Sequence, residues 1–159
     1  MEPEYLSSNV LVVFTLDEQR YALHLSSVER IIPAVEITPL PQAPEIILGV
    51  IDVRGEILPV VNIRKRFRLP EREIDLRDQL ILGQTSRRSV ALVVDTVTGV
   101  IEGSNEKVIT SDQILPNLNY IEGVVKLDDG VILIHDLDKF LSLEEEKALD
   151  TALDQKETK

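Results

Sequence analysis

The stretch GVIDVRGEILPVVNIRKRF, residues 49–67, decides the fold of this chain. Two runs rich in Val and Ile, residues 50–53 and 57–63, flank a short charged turn that contains Arg54 and Gly55. Branched side chains suit a pleated, half-buried sheet surface, and glycine readily takes the positive φ that a tight turn requires. The pattern therefore predicts a β-hairpin with Arg54 at its tip.

The segments around this hairpin predict further short elements. Apolar runs at 10–16 and 21–25 predict a pair of strands. In 28–32 the apolar residues recur at i, i+3 and i+4, which predicts a short helix that Pro33 ends. Within the central hairpin, Pro59 has no N–H to donate, so its strand should be an edge or carry a bulge at that point.

A polar segment, residues 68–78, separates two halves of the chain. Strand patterns restart after it, and an Asp-Asp-Gly turn between two apolar runs predicts another hairpin. The stretch 123–141 repeats the order of 49–67: strand, turn with glycine, strand, then a short basic and apolar helix. This weak internal similarity predicts a mainly β chain with a duplicated small barrel, whose approximate halves are 9–67 and 79–141.

The C-terminal segment, residues 142–159, is predicted to hold a helix and an acidic tail. Ser142 and Glu145 have the spacing of a capping box, so a helical segment should begin there. Apolar residues become sparse beyond Leu149 while acidic residues accumulate. We therefore expect the residues beyond about Leu149 to be dispensable for the fold.

Composition limits the classes of protein to which the chain can belong. Its 159 residues suit one domain or two small coupled ones. No cysteine is present, which excludes disulfides, thiolate metal ligands and a cysteine nucleophile, and fits a reducing cytosol. No signal peptide or long apolar stretch is apparent, so a cytoplasmic location is expected. The net charge of −11 argues against binding to phosphate backbones.

Candidate catalytic residues are few, and we expect no enzyme activity and no cofactor. His24 lies in an alternating strand pattern, and His135 with Asp136 resembles a metal-dependent phosphohydrolase dipeptide. The further His and Asp ligands of such a site are missing, so His135 and Asp136 are interpreted as a strand end and a helix cap. Asp95 is a single carboxylate at a strand end and is interpreted as a turn residue.

The basic run Arg64, Lys65, Arg66 and Arg68 offers an alternative hypothesis of another class, a nucleic-acid-binding β-barrel. Single-strand binding also needs aromatic platforms, and only Phe67 is close by. We therefore favour the interpretation that the run is a solvated helix end that supports a protein contact.

Five stretches together resemble the CheW-like family of chemotaxis coupling proteins. These stretches are GVIDVRGEILPVVNIRKRF, VLVVFTLDEQRYAL, LSSVERII, ALVVDTVTGVIE and YIEGVVKLDDGVILIHDLDKFL, and they span about residues 9–142. The sequence departs from the family pattern at three positions. Asn62 replaces a frequent Asp, Ala91 replaces a Gly, and Arg30 stands where an acidic residue is common, with Glu29 displaced by one.

The resemblance implies a fold and a function. The fold would be a single domain over residues 1–159, with two small five-stranded SH3/OB-like β-barrels side by side, strand exchange between them, short helices and a C-terminal helix. The function would be that of a non-catalytic adaptor between chemoreceptor cytoplasmic tips and the regulatory domain of the histidine kinase CheA. The protein would be a monomer when free and would join membrane-associated arrays. A type IV pilus or other non-flagellar chemosensory pathway is an alternative setting.

The resemblance also implies two contact surfaces. The receptor surface would comprise Val28, Ile31, Gly49, Arg54, Val97 and Val100. The kinase surface would comprise Glu29, Arg30, Arg54 and Gly55.

Overall fold

A computed structural model describes residues 10–102, 108–110 and 121–157. The strands are β1 (Val10–Leu16), β2 (Gln19–His24), β3 (Val28–Pro33), β4 (Ile47–Val53), β5 (Glu56–Val61), β6 (Gln79–Gln84), β7 (Ser89–Val94), β8 (Thr96–Glu102), β9 (Val108–Thr110), β10 (Ile121–Leu127) and β11 (Gly130–His135). The α-helices are α1 (Ile63–Arg66) and α2 (Leu143–Glu157), and 3-10 turns lie at Leu25–Ser27 and Leu137–Lys139.

The described strands form two sheets, which confirms the mainly β fold. One sheet has six strands in the order β8-β1-β2-β11-β10-β9, and the other has five in the order β3-β6-β7-β5-β4. The two-sheet fold is compatible with the expected pair of small five-stranded SH3/OB-like barrels, and the structure adds two details. The short strand β9 adds a sixth member by pairing with β10. Over the described residues both sheets are open, and one isolated bridge between Thr38 and Val50 links the segment after β3 to β4.

Each sheet draws strands from both halves of the chain. Strands β1 and β2 lie in the sheet of β8–β11, while β6 and β7 lie in the sheet of β3–β5. Two parallel pairings, β11 with β2 and β5 with β7, and two antiparallel pairings, β1 with β8 and β3 with β6, make these connections. The halves 9–67 and 79–141 are therefore interleaved, and their role as separate barrel units stays a prediction.

Three apolar clusters form the core. One lies within the six-stranded sheet and includes Leu11 and Ile132, and a second lies within the five-stranded sheet and includes Ile51. The third cluster, which we call the seam, contains buried side chains from both sheets. Its members include Phe14 of β1 and Leu92 of β7, each with no exposed surface. Because burial of apolar area is the main favourable term in folding, the seam ties the two sheets together.

The helix predicted over residues 28–32 is wrong, because these residues form strand β3. Ile31 pairs with Ile81 and Arg30 pairs with Leu82 in an antiparallel ladder with β6. The apolar spacing of so short a segment cannot distinguish a helix from a strand, and the neighbouring strand satisfies the backbone N–H and C=O groups. Helical structure is limited to the preceding 3-10 turn, Leu25–Ser27.

The expectation that residues beyond about Leu149 are dispensable is also contradicted. Leu149 and Ala152 in α2 are buried in the seam, and Leu153 packs against it. The capping box is confirmed, since Ser142 N–H donates to Glu145 Oε1 at 2.7 Å and Glu145 N–H donates to Ser142 Oγ at 3.1 Å. Leu149, Ala152 and Leu153 therefore form one docked face, while Leu143 and Ala148 are exposed.

Ion pairs hold the N-terminal half of α2. Arg66 Nη2 of α1 lies 2.6 Å from Glu145 Oε1. Arg88, in the turn between β6 and β7, contacts Glu146 at 3.0 Å and also binds Asp150. Helix α2 is thus bound to helix α1 and to the β6–β7 turn.

Candidate functional site: the hairpin tip and the open sheet edges

The tip of the β4–β5 hairpin is a two-residue turn formed by Arg54 and Gly55. Both residues have positive φ, 54° and 90°, as the type I′ turn of a tight hairpin requires. Asp52 Oδ1 accepts the Gly55 N–H at 2.8 Å, and Val53 pairs with Glu56 below the turn. The predicted hairpin and the positive φ of Gly55 are confirmed.

The side chain of Arg54 is presented to solvent by a rigid backbone. Arg54 is exposed, and among the described residues it takes part in no ion pair. Its guanidinium has five donors in a planar fork, which suits a carboxylate-bearing partner. The tip can therefore bind such a partner without first breaking an internal ion pair.

Pro59 fits within the hairpin because its missing donor is not needed. Its cross-strand neighbour Val50 directs both backbone groups away from β5, donating to Thr38 O at 2.8 Å and accepting from Thr38 N–H at 2.9 Å. Pro59 therefore sits at a non-hydrogen-bonded position, and the pairing of β5 with β7 begins only at Val60. The strand is an edge at Pro59, as predicted, while the bulge lies in β4 between Ile47 and Gly49.

Glycine is required at position 49 because two backbone segments come close together there. It is buried, and a Cβ atom at this position would lie 2.3 Å from Thr38 O. Only glycine allows the two backbones to approach this closely. Gly49 thus contributes by shaping the hairpin base and offers no side chain to a partner.

Four predicted contact residues lie along strand β3, an open edge of the five-stranded sheet. Among the described residues β3 pairs only with β6, so one row of its backbone groups is open. Glu29, Arg30 and Ile31 are exposed, with Ile31 38% accessible, whereas Val28 is half-buried and packs against the seam. The edge combines two charges with an apolar side chain.

The remaining two predicted residues lie on β8, the open edge of the six-stranded sheet. Val100 is 58% exposed, while Val97 packs against the seam. Val28 and Val97 therefore contact the same apolar cluster from different sheets. Arg54 and Gly55, by contrast, belong to the edge of the five-stranded sheet opposite β3. The predicted residues thus occupy three separate edges.

A charge network around the buried Arg64 was not predicted from the sequence. Arg64 of α1 is 9% exposed, and its guanidinium lies 3.0 Å from Asp17 and 2.8 Å from Asp95. Arg72 contacts Asp95 at 2.6 Å and Asp78 at 2.8 Å. The interpretation of Asp95 as a simple turn residue is therefore incomplete, since it is the acceptor shared by both arginines. Nothing in the spacing of these residues along the chain indicates that they meet.

The environment of Asp95 favours its ionised form. Partial burial alone raises the pKa of this carboxyl group, but the N–H of Asp17 and the guanidinium groups of Arg64 and Arg72 outweigh burial. The pKa of Asp95 is consequently lowered from its ordinary value. Asp95 is therefore ionised at neutral pH.

The basic run that suggested nucleic-acid binding is largely engaged within the protein. Arg64 binds Asp95, Lys65 lies 3.4 Å from Glu45, and Arg66 binds Glu145. Such pairing leaves little free positive charge for phosphate groups. The interpretation of the run as a solvated helix end is also corrected at Arg64, which is buried.

Asn62, one of the three departures from the family pattern, caps α1 by accepting the Lys65 N–H at 3.1 Å.

The His135–Asp136 pair has the structural role predicted for it. His135 ends β11, is 1% exposed and stacks on Phe67 with a ring centroid distance of 4.2 Å. Asp136 caps the following 3-10 turn by accepting the Asp138 N–H at 3.1 Å. No group of three or more His, Asp or Glu side chains within the described ranges is arranged to hold a metal ion.

Comparisons with known proteins agree with this architecture. The CheW-like domain model matches residues 10–145, so the chain belongs to the CheW-like family. It is 29% identical to the chemotaxis protein CheW of Treponema pallidum over 85% of this chain and 83% of that protein. It is 33% identical to the chemotaxis protein CheW of Thermotoga maritima over 80% of this chain and 84% of that one.

The fold likewise resembles a solved structure. The crystal structure of the scaffolding protein TtCheW from Thermoanaerobacter tengcongensis aligns with a TM-score of 0.78 and 29% identity. The alignment covers 87% of this chain and 95% of the solved chain.

Proposed function

We propose that this chain is a non-catalytic chemotaxis adaptor that couples chemoreceptors to the histidine kinase CheA. Family membership over residues 10–145 supports the role. The observation that carries it is the presentation of Arg54, whose positive-φ turn is anchored between two paired strands while its side chain stays exposed. A rigid scaffold that displays charged and apolar edges fits an adaptor, because binding then costs little ordering entropy.

The proposed receptor surface comprises Val28, Ile31, Gly49, Arg54, Val97 and Val100. Ile31 and Val100 supply exposed apolar area on the two open edges β3 and β8. Val28 and Val97 support these edges from the seam, and Gly49 fixes the hairpin base. Apolar contacts flanked by a charged tip are the usual composition of a protein interface.

The proposed kinase surface comprises Glu29, Arg30, Arg54 and Gly55. Glu29 and Arg30 carry opposite charges on the open edge β3, so they can pair with opposite charges on a partner strand. Domains of similar fold can pair pseudo-symmetrically through such edges. Each contact would be modest, and array assembly would supply avidity.

The proposed location is the cytoplasm, with recruitment to membrane-associated receptor arrays. In the part of the chain that the structure describes, no helix is long and apolar enough to cross a membrane. The protein is proposed to be a monomer when free and to join arrays when assembled. Coupling in a type IV pilus or other non-flagellar pathway is the alternative setting for the same surfaces.

The test is Arg54→Glu in a reconstituted complex of receptor, kinase and this protein. We expect the thermal midpoint to be nearly unchanged, because a surface substitution changes stability by about 0.5 kcal/mol or less. Ternary assembly and kinase activation should fall by roughly tenfold or more, the loss of a contact worth about 2 kcal/mol. Arg87→Glu is the matched control, since Arg87 is also exposed in a hairpin turn, between β6 and β7. Kinase activation by Arg54→Glu at the wild-type level would refute the proposal for this residue.

A further inference from the structure

The open edge strand β8 contains a β-bulge at Thr98. Val97 pairs with Phe14 of β1, and Val100 pairs with Val12, so Thr98 is the extra residue on the β8 side. The Thr98 hydroxyl group donates to a backbone carbonyl of β1 at 3.2 Å. Because the two β1 residues lie on the same face of their strand, the bulge places Val97 and Val100 on one face as well. Without a bulge, residues three positions apart would lie on opposite faces.

The open edge strand β3 contains a bulge with the same consequence. Val28 pairs with Gly83 of β6, and Ile31 pairs with Ile81, so Glu29 is the extra residue. Since the two β6 residues are two positions apart, Val28 and Ile31 also share one face. The bulge explains how a strand can carry the apolar spacing that predicted a helix here.

Both apolar pairs lie on the seam side of their sheets. Their cross-strand neighbours Phe14 and Ile81 are buried members of the seam. One residue of each pair packs against the seam, while the other, Ile31 or Val100, is 38% or 58% exposed. Bulges occur often at sheet edges beside functional sites, where they redirect side chains. The two bulges therefore orient the exposed apolar residues of both edges towards the seam side.

The side chain of Gln79 links β8 to the five-stranded sheet. Gln79 begins β6, where it pairs with Pro33 of β3 and with Val94 of β7. Its Oε1 accepts the Val97 N–H at 2.7 Å, although Val97 belongs to the six-stranded sheet. Because Gln79 and Ile81 are two positions apart in β6, the Gln79 side chain also lies on the seam face. This hydrogen bond therefore joins the edge strand β8 to the strand that neighbours β3.

Two polar attachments set the direction of β8 where the strand begins. Asp95 directly precedes the strand and is bound by Arg64, and Val97 is the second residue of the strand. Among the described strands, β8 pairs only with β1. The separation of the edges β3 and β8 therefore depends in part on Gln79. A partner that contacts both edges gains from a fixed separation, because binding then orders fewer groups.

We propose that Gln79 is a positioning residue for the receptor surface, and that it holds β8 against the five-stranded sheet so that one receptor tip contacts Ile31 and Val100 together. This inference rests on the proposed adaptor function. Gln79 acts through Val97 and does not itself contact the receptor. The bulges determine which way the apolar side chains point, and Gln79 determines how far apart their strands lie.

Receptor binding by Gln79→Met is the first test. Methionine has a similar length but offers only a weak acceptor, so the Val97 N–H loses its partner. The affinity for a purified chemoreceptor cytoplasmic fragment should fall by roughly tenfold, because binding must then order the two edges. Gln79→Glu keeps an oxygen acceptor and should recover most of the affinity. Wild-type affinity in Gln79→Met would overturn the proposal.

Gln84→Met is the matched control. Gln84 ends the same strand, and its Oε1 accepts the Ser89 hydroxyl at 2.7 Å within the five-stranded sheet. This substitution removes a similar hydrogen bond without affecting β8, so the receptor affinity should stay at the wild-type level. Equal losses of affinity in Gln79→Met and Gln84→Met would indicate a general effect on the fold and contradict the positioning role.

Spin labels measure the separation of the edges without any partner, since the chain has no cysteine of its own. The labels are attached at Arg30→Cys in β3 and Glu102→Cys in β8, both exposed positions. The distance distribution between them should broaden in Gln79→Met and stay narrow in Gln84→Met. Identical distributions in the two variants would refute the proposal. A broadened distribution in Gln79→Met, together with a wild-type protein that binds no receptor, would refute the adaptor function alone.

Discussion

Arg64 Nη2 of α1 lies 2.8 Å from Asp95 Oδ1, at the point where the chain passes from β7 of one sheet to β8 of the other. The same guanidinium contacts Asp17 in the β1–β2 turn, and the Asp17 N–H donates to Asp95 Oδ2 at 2.8 Å. One buried arginine thus joins elements of both sheets. We infer that this network fixes how the sheets meet around the seam.

Removing this arginine should destabilise the fold. In Arg64→Met the carboxylates of Asp17 and Asp95 lose their shared partner, although Arg72 still contacts Asp95. The lost hydrogen bonds between charged groups should cost about 2 kcal/mol. Urea denaturation at pH 7 measures the loss. Arg87→Met, at an exposed turn position, should change the unfolding free energy by less than about 0.5 kcal/mol. Equal stability of the two variants would show that the network contributes nothing.

Asp95 should make stability depend on acidity. Its folded-state pKa is lowered, so its carboxylate stabilises the fold above the unfolded-state pKa of about 3.9. That stabilisation is lost as pH falls through the lower folded-state pKa. In Asp95→Asn the unfolding free energy should decline less steeply below about pH 4 than in wild type. Asp128→Asn, in the exposed β10–β11 turn, is the control for the loss of one negative charge.

The docked face of α2 should matter for stability and its outer face should not. Leu149 has no exposed surface, so Leu149→Ala should cost about 2–5 kcal/mol from lost burial and a cavity. Leu143, in the same helix, is 55% exposed, and Leu143→Ala should cost less than about 0.5 kcal/mol. Thermal unfolding of both variants tests this difference. A thermal midpoint of Leu149→Ala close to wild type would show that the docked face contributes little to stability.

Substitution of either hairpin glycine should lower stability, but the physical reason differs between the two positions. A Cβ atom at Gly55 meets no atom within 4 Å, so only its positive φ resists substitution. Gly55→Asn should therefore be tolerated, while Gly55→Val should cost about 1–3 kcal/mol. At Gly49 the clash with Thr38 O makes even Gly49→Ala disruptive. Urea midpoints of the three variants, with the far-ultraviolet spectrum as a check on folding, measure the contrast. Similar losses for Gly55→Asn and Gly55→Val would refute the turn argument.

Features that depend on residues close together along the chain could be predicted from the sequence. The turn at Arg54 and Gly55, the capping box of Ser142 with Glu145, and the cap at Asp136 each involve groups within a few positions, and the structure contains all three. Local backbone sterics and local hydrogen bonds determine such features. The mainly β class followed in the same way from alternating branched residues and frequent turns.

Features that depend on distant residues were settled only by the tertiary structure. Residues 28–32 form a strand because β6, some fifty positions later, supplies the ladder. Leu149 is a core residue because the seam lies beneath α2, and Arg64 is buried because Asp17 and Asp95 come together around it. The spacing of these residues along the chain does not predict these contacts. Burial and charge pairing act between residues that are distant along the chain. They therefore determine that residues 28–32 form a strand, that Leu149 is part of the core, and that Arg64 joins the two sheets.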